Sequence, residues 1–398
     1  MQWQAAIVTA AAVLLASPVA ARTLVLPFEN AGREPRVFWL GEGSAVLLSD
    51  DLGALGQLVV TRDERLSTMS RLSVPASASL SHATVIRVGQ ALAATQAVIG
   101  EFELSMGQLT VRARHIRLDT GRMSPAIEER GPIGDVFGVY ARVARRLAPE
   151  SRVTLEAMEE GHPPLPGFEV YVKGLLAQAP ATRLSFLNQA IKLAPGFHPA
   201  RLALWHALTD QADHQRALAV ARQVPADHRL GRQAQLLAGV SLLHMMRHQE
   251  SHVALSALQT LGPDAAAANN LGVVQLRRPP NAPGGSAITF FEEARRLDGA
   301  DPDILFNLGY AHWLNRDVIS AANALRDALR RNPDDATARY VLGVVLQEAG
   351  NTADAAREKD AARKASADLA EWDAKQAGAN AAPSGLERVK TVLKFTAF

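Results

Sequence analysis

A period of 34 residues near the carboxyl end constrains the fold more than any other feature of this chain. Leu308-Gly309 returns as Leu342-Gly343 (342 − 308 = 34), and Ala321 returns as Ala355 (355 − 321 = 34). A fixed period of this length is typical of stacked helical hairpins, in which small residues lie where two helices meet. Pro333 ends the second helix of its unit, because proline cannot continue a helix. The period therefore predicts an all-α solenoid.

These residues resemble the tetratricopeptide repeat, whose Leu-Gly, Ala, Ala, Pro pattern is present at Leu308, Gly309, Ala321, Ala328 and Pro333. Weaker copies precede the clear pair, so the resemblance covers residues 168–375 as six helical hairpins. About three repeats are the minimum for a stable stack. The resemblance implies a protein-interaction module in which the first helix of each hairpin lines a concave groove.

The resemblance also places candidate binding residues, with Gly309 counted as the eighth residue of its repeat. The expected partner-binding groove is formed by Phe306, Tyr310, Trp313, Leu314, Tyr340, Val344, Asn269 and Arg277. Two interpretations stay open for its aromatic side chains. They either pack against neighbouring helices, or they form a hydrophobic groove for an extended or helical peptide, since aromatic and Arg side chains are frequent hot spots.

The first part of the chain, residues 22–150, alternates short apolar runs with amphipathic helices, which predicts an α/β domain. Its strand and turn motifs resemble the TolB amino-terminal, FlgO-like and CsgG-like α/β domain. They are Leu26–Asn30, Leu40–Gly43, Val98–Phe102, Leu109–Arg114 and Asp119–Gly121. The resemblance implies a bacterial envelope or accessory domain, often fused to tetratricopeptide repeats and usually not enzymatic. The absence of cysteine departs from the lipoprotein members.

The amino terminus predicts export. Ala5–Ala16 is an uncharged apolar run, and Val19-Ala20-Ala21 supplies the small residues of a cleavage site, so residues 1–21 are expected to be a signal peptide. The alternative is an uncleaved apolar anchor. We predict a linker at residues 151–167, which contains three prolines near Pro163–Pro166, and a flexible tail at residues 376–398.

Composition and motifs argue against several kinds of site. The chain has no cysteine and a net charge of +2, and it lacks a phosphate-binding loop, a His-Glu-x-x-His motif and a Gly-x-Ser-x-Gly motif. His244, His248 and His252 are spaced for one helix face, but the repeat frame predicts a turn there, which favours an exposed polar turn over a metal site. We expect no catalytic residues, no cofactor, no metal and no nucleic-acid partner.

The sequence predicts an exported, non-enzymatic adaptor or scaffold that mediates protein–protein interactions in the bacterial periplasm, with a protein or peptide partner in the repeat groove and a possible role in an envelope complex. The alternative is an accessory or sensor subunit whose α/β domain binds a small ligand and relays it through the repeats. A pocket lined by titratable groups in the first domain would favour the alternative.

Overall fold

The chain forms two compact units, which meet in sequence between Leu176 and Ala177. The structure is a computed structural model that describes residues 22–75, 80–154, 162–279, 282–375 and 382–393. The expected signal peptide, residues 1–21, lies outside the described residues. An α/β unit is followed by an all-α solenoid, which confirms the predicted fold class.

The first unit is built on a six-stranded sheet. Its strands are β1 (Arg22–Val25), β2 (Glu29–Asn30), β3 (Leu58–Val59), β4 (Gln96–Ser105), β5 (Gln108–Arg117) and β6 (Ile127–Pro132). β1 lies between β3 and β4 and is parallel to both. β4, β5 and β6 form an antiparallel meander, and β2 pairs with the far end of β4. Alternating apolar side chains therefore point to a common core, as in β5, where Leu109, Val111 and Ala113 are fully buried.

Within the described ranges, five α-helices accompany this sheet: α1 (Leu40–Ala54), α2 (Arg62–Arg71), α3 (His82–Ala91), α4 (Val136–Leu147) and α5 (Leu165–Leu176). Thr61 and Glu64 begin α2 with a capping box, in which each side chain bonds the backbone of the other residue. Apolar residues of α2 and α3, including Met69, Val85 and Val88, pack in one cluster with the strands β1, β4 and β5.

Helix α5 marks where the domain boundary differs from the sequence interpretation, which assigned residues from Phe168 onward to the repeats. Phe168 is 1% exposed and packs edge-on against Trp39 of the first unit, with ring centroids 6.0 Å apart. Arg62 also donates a hydrogen bond to the Leu175 carbonyl at 2.9 Å. Helix α5 therefore belongs to the first unit, because its apolar face is covered there.

The second unit is a row of antiparallel helices: α6 (Pro180–Leu193), α7 (His198–Thr209), α8 (His214–Ala221), α9 (Gly231–His244), α10 (His248–Leu261), α11 (Ala265–Arg277), α12 (Ala287–Leu297), α13 (Pro302–Leu314), α14 (Val318–Arg331), α15 (Ala336–Glu348), α16 (Thr352–Ala365) and α17 (Ala367–Lys375). Each helix packs on the next, and the first helices of successive hairpins, α7, α9, α11, α13 and α15, also contact one another. This second set of contacts makes the unit a solenoid.

The small residues of the 34-residue period lie at the contacts between the two helices of a hairpin. A Cβ on Gly309 would come within 2.8 Å of the Leu325 side chain, and one on Gly343 within 2.6 Å of the Lys359 side chain. Real Cβ atoms are not found at such distances, so glycine lets α13 approach α14 and α15 approach α16. The Leu-Gly signal in the sequence therefore reports helix packing.

Candidate functional site

Residues 382–393, which we call the C-terminal segment, lie along the first helices of the later hairpins. Asn307 of α13 donates to the Arg388 carbonyl at 2.8 Å and accepts from the Arg388 N–H at 2.8 Å. Asn270 of α11 does the same for Lys390, at 2.7 Å and 2.8 Å. Each side-chain amide therefore satisfies both backbone groups of one residue, as a neighbouring β-strand would.

Two further amides extend this pattern. Gln233 of α9 donates to the Thr391 carbonyl at 2.6 Å and accepts from the Leu393 N–H at 3.0 Å. Asn269 donates to the Arg388 carbonyl and accepts from Asn307, both at 2.8 Å. All three asparagines are fully buried beneath the C-terminal segment. Buried amides require hydrogen-bond partners, and the backbone of this segment supplies them.

Three aspartates surround the basic side chains of the segment. Arg388 donates to Asp303 and Asp335, both at 2.9 Å. Lys390 contacts Asp301 at 2.8 Å and Asp303 at 2.7 Å. Asp301 and Asp335 are also the N-caps of α13 and α15. We call the surface formed by these aspartates together with Gln233, Asn269, Asn270 and Asn307 the clamp face.

The aspartate at the centre of the clamp face is held ionised. Burial by itself raises the pKa of the Asp303 carboxyl, but Lys390 and Arg388 outweigh it and bring that pKa below its ordinary value. Burial likewise lowers the pKa of the Arg388 guanidinium, while Asp335 and Asp303 raise it above its ordinary value. The charged forms of these partners therefore stabilise each other.

The segment is also held by one ion pair in which it supplies the acidic partner, by a cation–π contact and by apolar contacts. Glu387 pairs with Arg277 at 3.2 Å. The Arg388 guanidinium lies 3.8 Å from the ring centroid of Phe306. Leu393 is 6% exposed and lies in a core cluster with side chains of α9 and α11, against which Val389 also packs. Each charged side chain of the segment thus meets the opposite charge on the helices beneath it.

Four of the eight residues expected to form the groove lie against residues 385–388 of the C-terminal segment. Asn269, Arg277 and Phe306 make the contacts described above. Tyr310 is 3% exposed, and its pKa is raised by burial and by nearby Glu387, while hydrogen bonds from the backbone of Gly385 and Leu386 act in the other direction. Phe306 and Tyr310 stack with centroids 6.0 Å apart. Phe306 and Tyr310 are therefore buried residues that have the C-terminal segment on one side.

Of the other four candidate residues, three lie in or against the cluster on which Ala382 of the C-terminal segment also packs. Tyr340 and Val344 are buried in a cluster with Ala362 and Leu369, and the Tyr340 hydroxyl donates to Asp373, so α16 and α17 cover this end of the face. Trp313 packs partly buried against the same cluster, and Leu314 is 48% exposed. Binding of a partner by these eight residues stays a prediction.

Sequence reasoning missed most of the polar residues of the clamp face: Gln233, Asn270, Asn307, Asp301, Asp303 and Asp335. A signal for some of them was present. Asn269-Asn270 and Asn307 interrupt apolar stretches in the middle of helices, where asparagine is disfavoured because its side chain competes with the backbone. An asparagine at such a position needs a buried partner, and that requirement was the available clue.

The C-terminal segment itself departs from the expectation of a flexible tail over residues 376–398. Its Pro, Ser and Gly content around Pro383–Gly385 is typical of a spacer. Residues 386–393 are nevertheless held, because amides and carboxylates far earlier in the chain, such as Asn270, bond to them. Residues 376–381 and 394–398 lie outside the described part.

The histidine cluster is divided as the repeat frame predicted. His244 ends α9 and His248 begins α10. His244 stacks on His214 with ring centroids 4.6 Å apart, and burial, His214 and Arg277 together lower its pKa. Among the described residues, no group of three or more His, Asp or Glu side chains is arranged to hold a metal ion. Within the same residues, the helices are too short or too polar to cross a bilayer.

Comparisons with known proteins locate the family signal in the last repeats. Residues 316–370 match the model of the tetratricopeptide repeat family. No curated protein matches the chain significantly. Among solved structures, the chain is similar to MamA, with 17% identity, a TM-score of 0.36, and coverage of 43% of this chain and 97% of that one.

Two further solved structures are similar over about half of this chain. One is YrrB, described as a TPR protein with an unusual peptide-binding site, with 20% identity, a TM-score of 0.35, and coverage of 48% of this chain and 97% of that one. The other is the APC/C hetero-tetramer Cut9–Hcn1, with 18% identity, a TM-score of 0.45, and coverage of 54% and 43%. The contacts between its helices make the second unit a helical-hairpin solenoid, and its residues 316–370 match the tetratricopeptide repeat family.

Proposed function

We propose that this chain is an exported, non-enzymatic adaptor that holds an extended segment of a protein partner on the clamp face. The observation that carries the proposal is the set of buried amides that bond both backbone groups of alternate residues in the C-terminal segment. Backbone recognition of this kind accepts many sequences, because every residue except proline offers the same N–H and C=O groups.

Charge adds preference to this backbone recognition. Asp301, Asp303 and Asp335 lie together on the clamp face, where they form ion pairs with the basic side chains of the bound segment. Charged groups arranged in this way favour complementary partners and repel others, so they set specificity and association rate more than affinity. An extended, basic peptide segment is therefore the class of ligand that this face fits.

The proposal of export to the periplasm rests on the sequence. Residues 1–21 carry the apolar run and cleavage pattern of a signal peptide. The motifs of the first unit resemble the TolB amino-terminal, FlgO-like and CsgG-like domain, which implies a bacterial envelope setting. We place the adaptor in an envelope complex on this basis.

The test is capture of partners from an envelope extract by the full chain carrying Arg388→Glu and Lys390→Glu, which frees the clamp face of its own C-terminal segment, and by the same chain with Asn270→Ala and Asn307→Ala added. Each alanine substitution removes two backbone hydrogen bonds, and a buried group left without its partner costs about 1–3 kcal/mol. We expect capture by the chain with both alanine substitutions to fall at least tenfold. Asn188→Ala, which changes an exposed asparagine of α6, is the matched control in the same chain and should leave capture unchanged. Equal capture by the chain with both alanine substitutions and the control would show that the clamp face is not the partner site.

A further inference from the structure

The segment that fills the clamp face belongs to the chain itself. Glu387, Arg388 and Lys390 meet Arg277 and the three aspartates with opposite charge at every position. Leu393 is buried beyond them. Reversing the direction of the segment or shifting it by one residue would break these pairs, so the segment has one register on the face.

The contacts also show why the basic residues are two positions apart. In an extended chain, the N–H and C=O of one residue point to the same edge, and this edge recurs every second residue. Arg388 and Lys390 present that edge to Asn307 and Asn270, while Val389 between them packs into the core cluster. The face therefore selects an extended segment with the order acidic, basic, apolar, basic.

We propose that residues 385–393 are a tethered ligand that occupies the clamp face and competes with partner segments of the same pattern. This inference rests on the proposed function, because it assumes that the face binds peptides. It adds that the partner site is closed in the isolated chain, and that the partner carries a segment resembling Glu-Arg-Val-Lys in its charge order.

Tethering makes this competition effective. Helix α17 ends at Lys375, and the segment already packs against the second unit at Ala382. A short connection of this kind gives an effective concentration on the order of 1 mM. A free peptide with an intrinsic Kd of about 10 µM would then bind about a hundredfold more weakly to the closed chain. The reason is that the clamp face is unoccupied in only about one chain in a hundred.

The experiment uses the full chain and a fluorescent peptide with the sequence of residues 382–393. One variant carries Arg388→Glu and Lys390→Glu, which places two carboxylates against the aspartates of the clamp face and releases the tethered segment. We expect this variant to bind the peptide 10- to 100-fold more tightly than the wild type. The control carries Arg357→Glu and Lys375→Glu, the same charge change at exposed positions, and should bind the peptide as the wild type does.

A third variant adds Asn307→Ala to the released chain and separates the two proposals. Tight binding that is lost in this variant supports both. Equal binding to wild type and released chain, with loss on Asn307→Ala, keeps the peptide site and overturns the tethered ligand. Tight binding that is insensitive to Asn307→Ala overturns the peptide site. Absence of peptide binding in every chain overturns the tethered ligand, and the envelope capture experiment then decides the peptide site independently.

Two measurements cover the remaining outcomes. Sedimentation of the wild type should show a monomer, and a dimer that dissociates in the released variant would mean that the segment binds a second copy, which overturns the intramolecular form. If the released variant loses its helical circular dichroism, Lys390→Gln takes its place. This milder variant should bind the peptide several-fold more tightly than the wild type, and binding equal to the wild type would count against the inference.

Discussion

Glu42 is a buried carboxylate with two arginine partners in the first unit. Its Oε1 accepts from Arg62 at 2.7 Å and from Arg65 at 2.5 Å. The side chains of Glu42 and Arg65 are 6% and 3% exposed. Burial raises the pKa of Glu42, but the two arginines outweigh this and lower it below its ordinary value. A carboxylate in this position forms ion pairs with the two arginines of α2 only while it is ionised.

We predict that Glu42→Gln destabilises the protein by about 3–5 kcal/mol, because it leaves the buried Arg65 guanidinium without its counter-charge. The measurement is urea unfolding followed by circular dichroism. The control is Glu34→Gln, which affects the surface pair with Arg36 and should leave the urea concentration at the unfolding midpoint almost unchanged. Since the pKa of Glu42 is lowered on folding from its ordinary value of 4.5, its contribution is present above pH 4.5 and is lost as the pH falls through the folded value. A Glu42→Gln midpoint equal to the wild type at neutral pH would show that the pair contributes nothing net.

At the level of elements, the turn between the two helices of a hairpin repeats with the same period as the packing residues. Ala212, Met246, Arg316 and Gly350 all have positive φ, at 57°, 57°, 65° and 81°. The first two are 34 residues apart (246 − 212), as are the last two (350 − 316). This backbone region disfavours side chains and suits glycine. Only the last of the four positions carries the residue that the turn prefers.

We therefore predict that Arg316→Gly stabilises the second unit, because it relieves a left-handed conformation that costs a non-glycine residue about 1–2 kcal/mol, less about 1 kcal/mol for the extra freedom of glycine when unfolded. Gly350→Ala, the reciprocal change at the equivalent position, should destabilise it. Thermal melts of both variants check the pair. Shifts of the same sign in the two variants would contradict this account of the turn.

At the level of the whole molecule, the boundary between the units lies after α5. Phe168 packs on Phe137 with ring centroids 5.5 Å apart as well as on Trp39. Pro163 and Pro164 therefore lie just before a helix of the first unit, and Pro166 is the second residue of that helix, so these prolines do not mark the end of the unit. A proline-rich stretch indicates a turn, but it does not indicate which unit the helix after the turn packs against.

This placement predicts the behaviour of fragments. Residues 22–176 should unfold in one cooperative transition, because the apolar face of α5 then covers its partners on α1 and α4. Residues 22–154 lack Phe168 and should melt several degrees lower, since losing a buried aromatic side chain costs about 3–5 kcal/mol. Calorimetry of the two fragments provides the comparison. Equal melting temperatures would show that α5 is not part of the first core.

The sequence by itself determined the features that are local or periodic. Gly309 and Gly343 identified the hairpins, because a helix contact that excludes a Cβ must recur wherever the contact recurs. The alternation in β5 identified a strand with one buried face. The helix face that carries Phe306, Tyr310 and Asn269 followed from the same period.

The tertiary structure alone decided the pairing of the C-terminal segment with the clamp face. Asn270 and Lys390 are 120 residues apart in the chain, and no periodicity joins them. A tail with Pro, Ser and Gly near its start has no pattern that requires order, and its hydrogen bonds come from side chains on helices much earlier in the chain. Side-chain amides can bond the backbone of any residue except for the missing N–H of proline, so the sequence of the segment does not indicate that its backbone is bonded in this way. The register of Arg388 and Lys390 depends on ion pairs with Asp301, Asp303 and Asp335. These three carboxylates come together only in the folded chain, at the ends of α13 and α15.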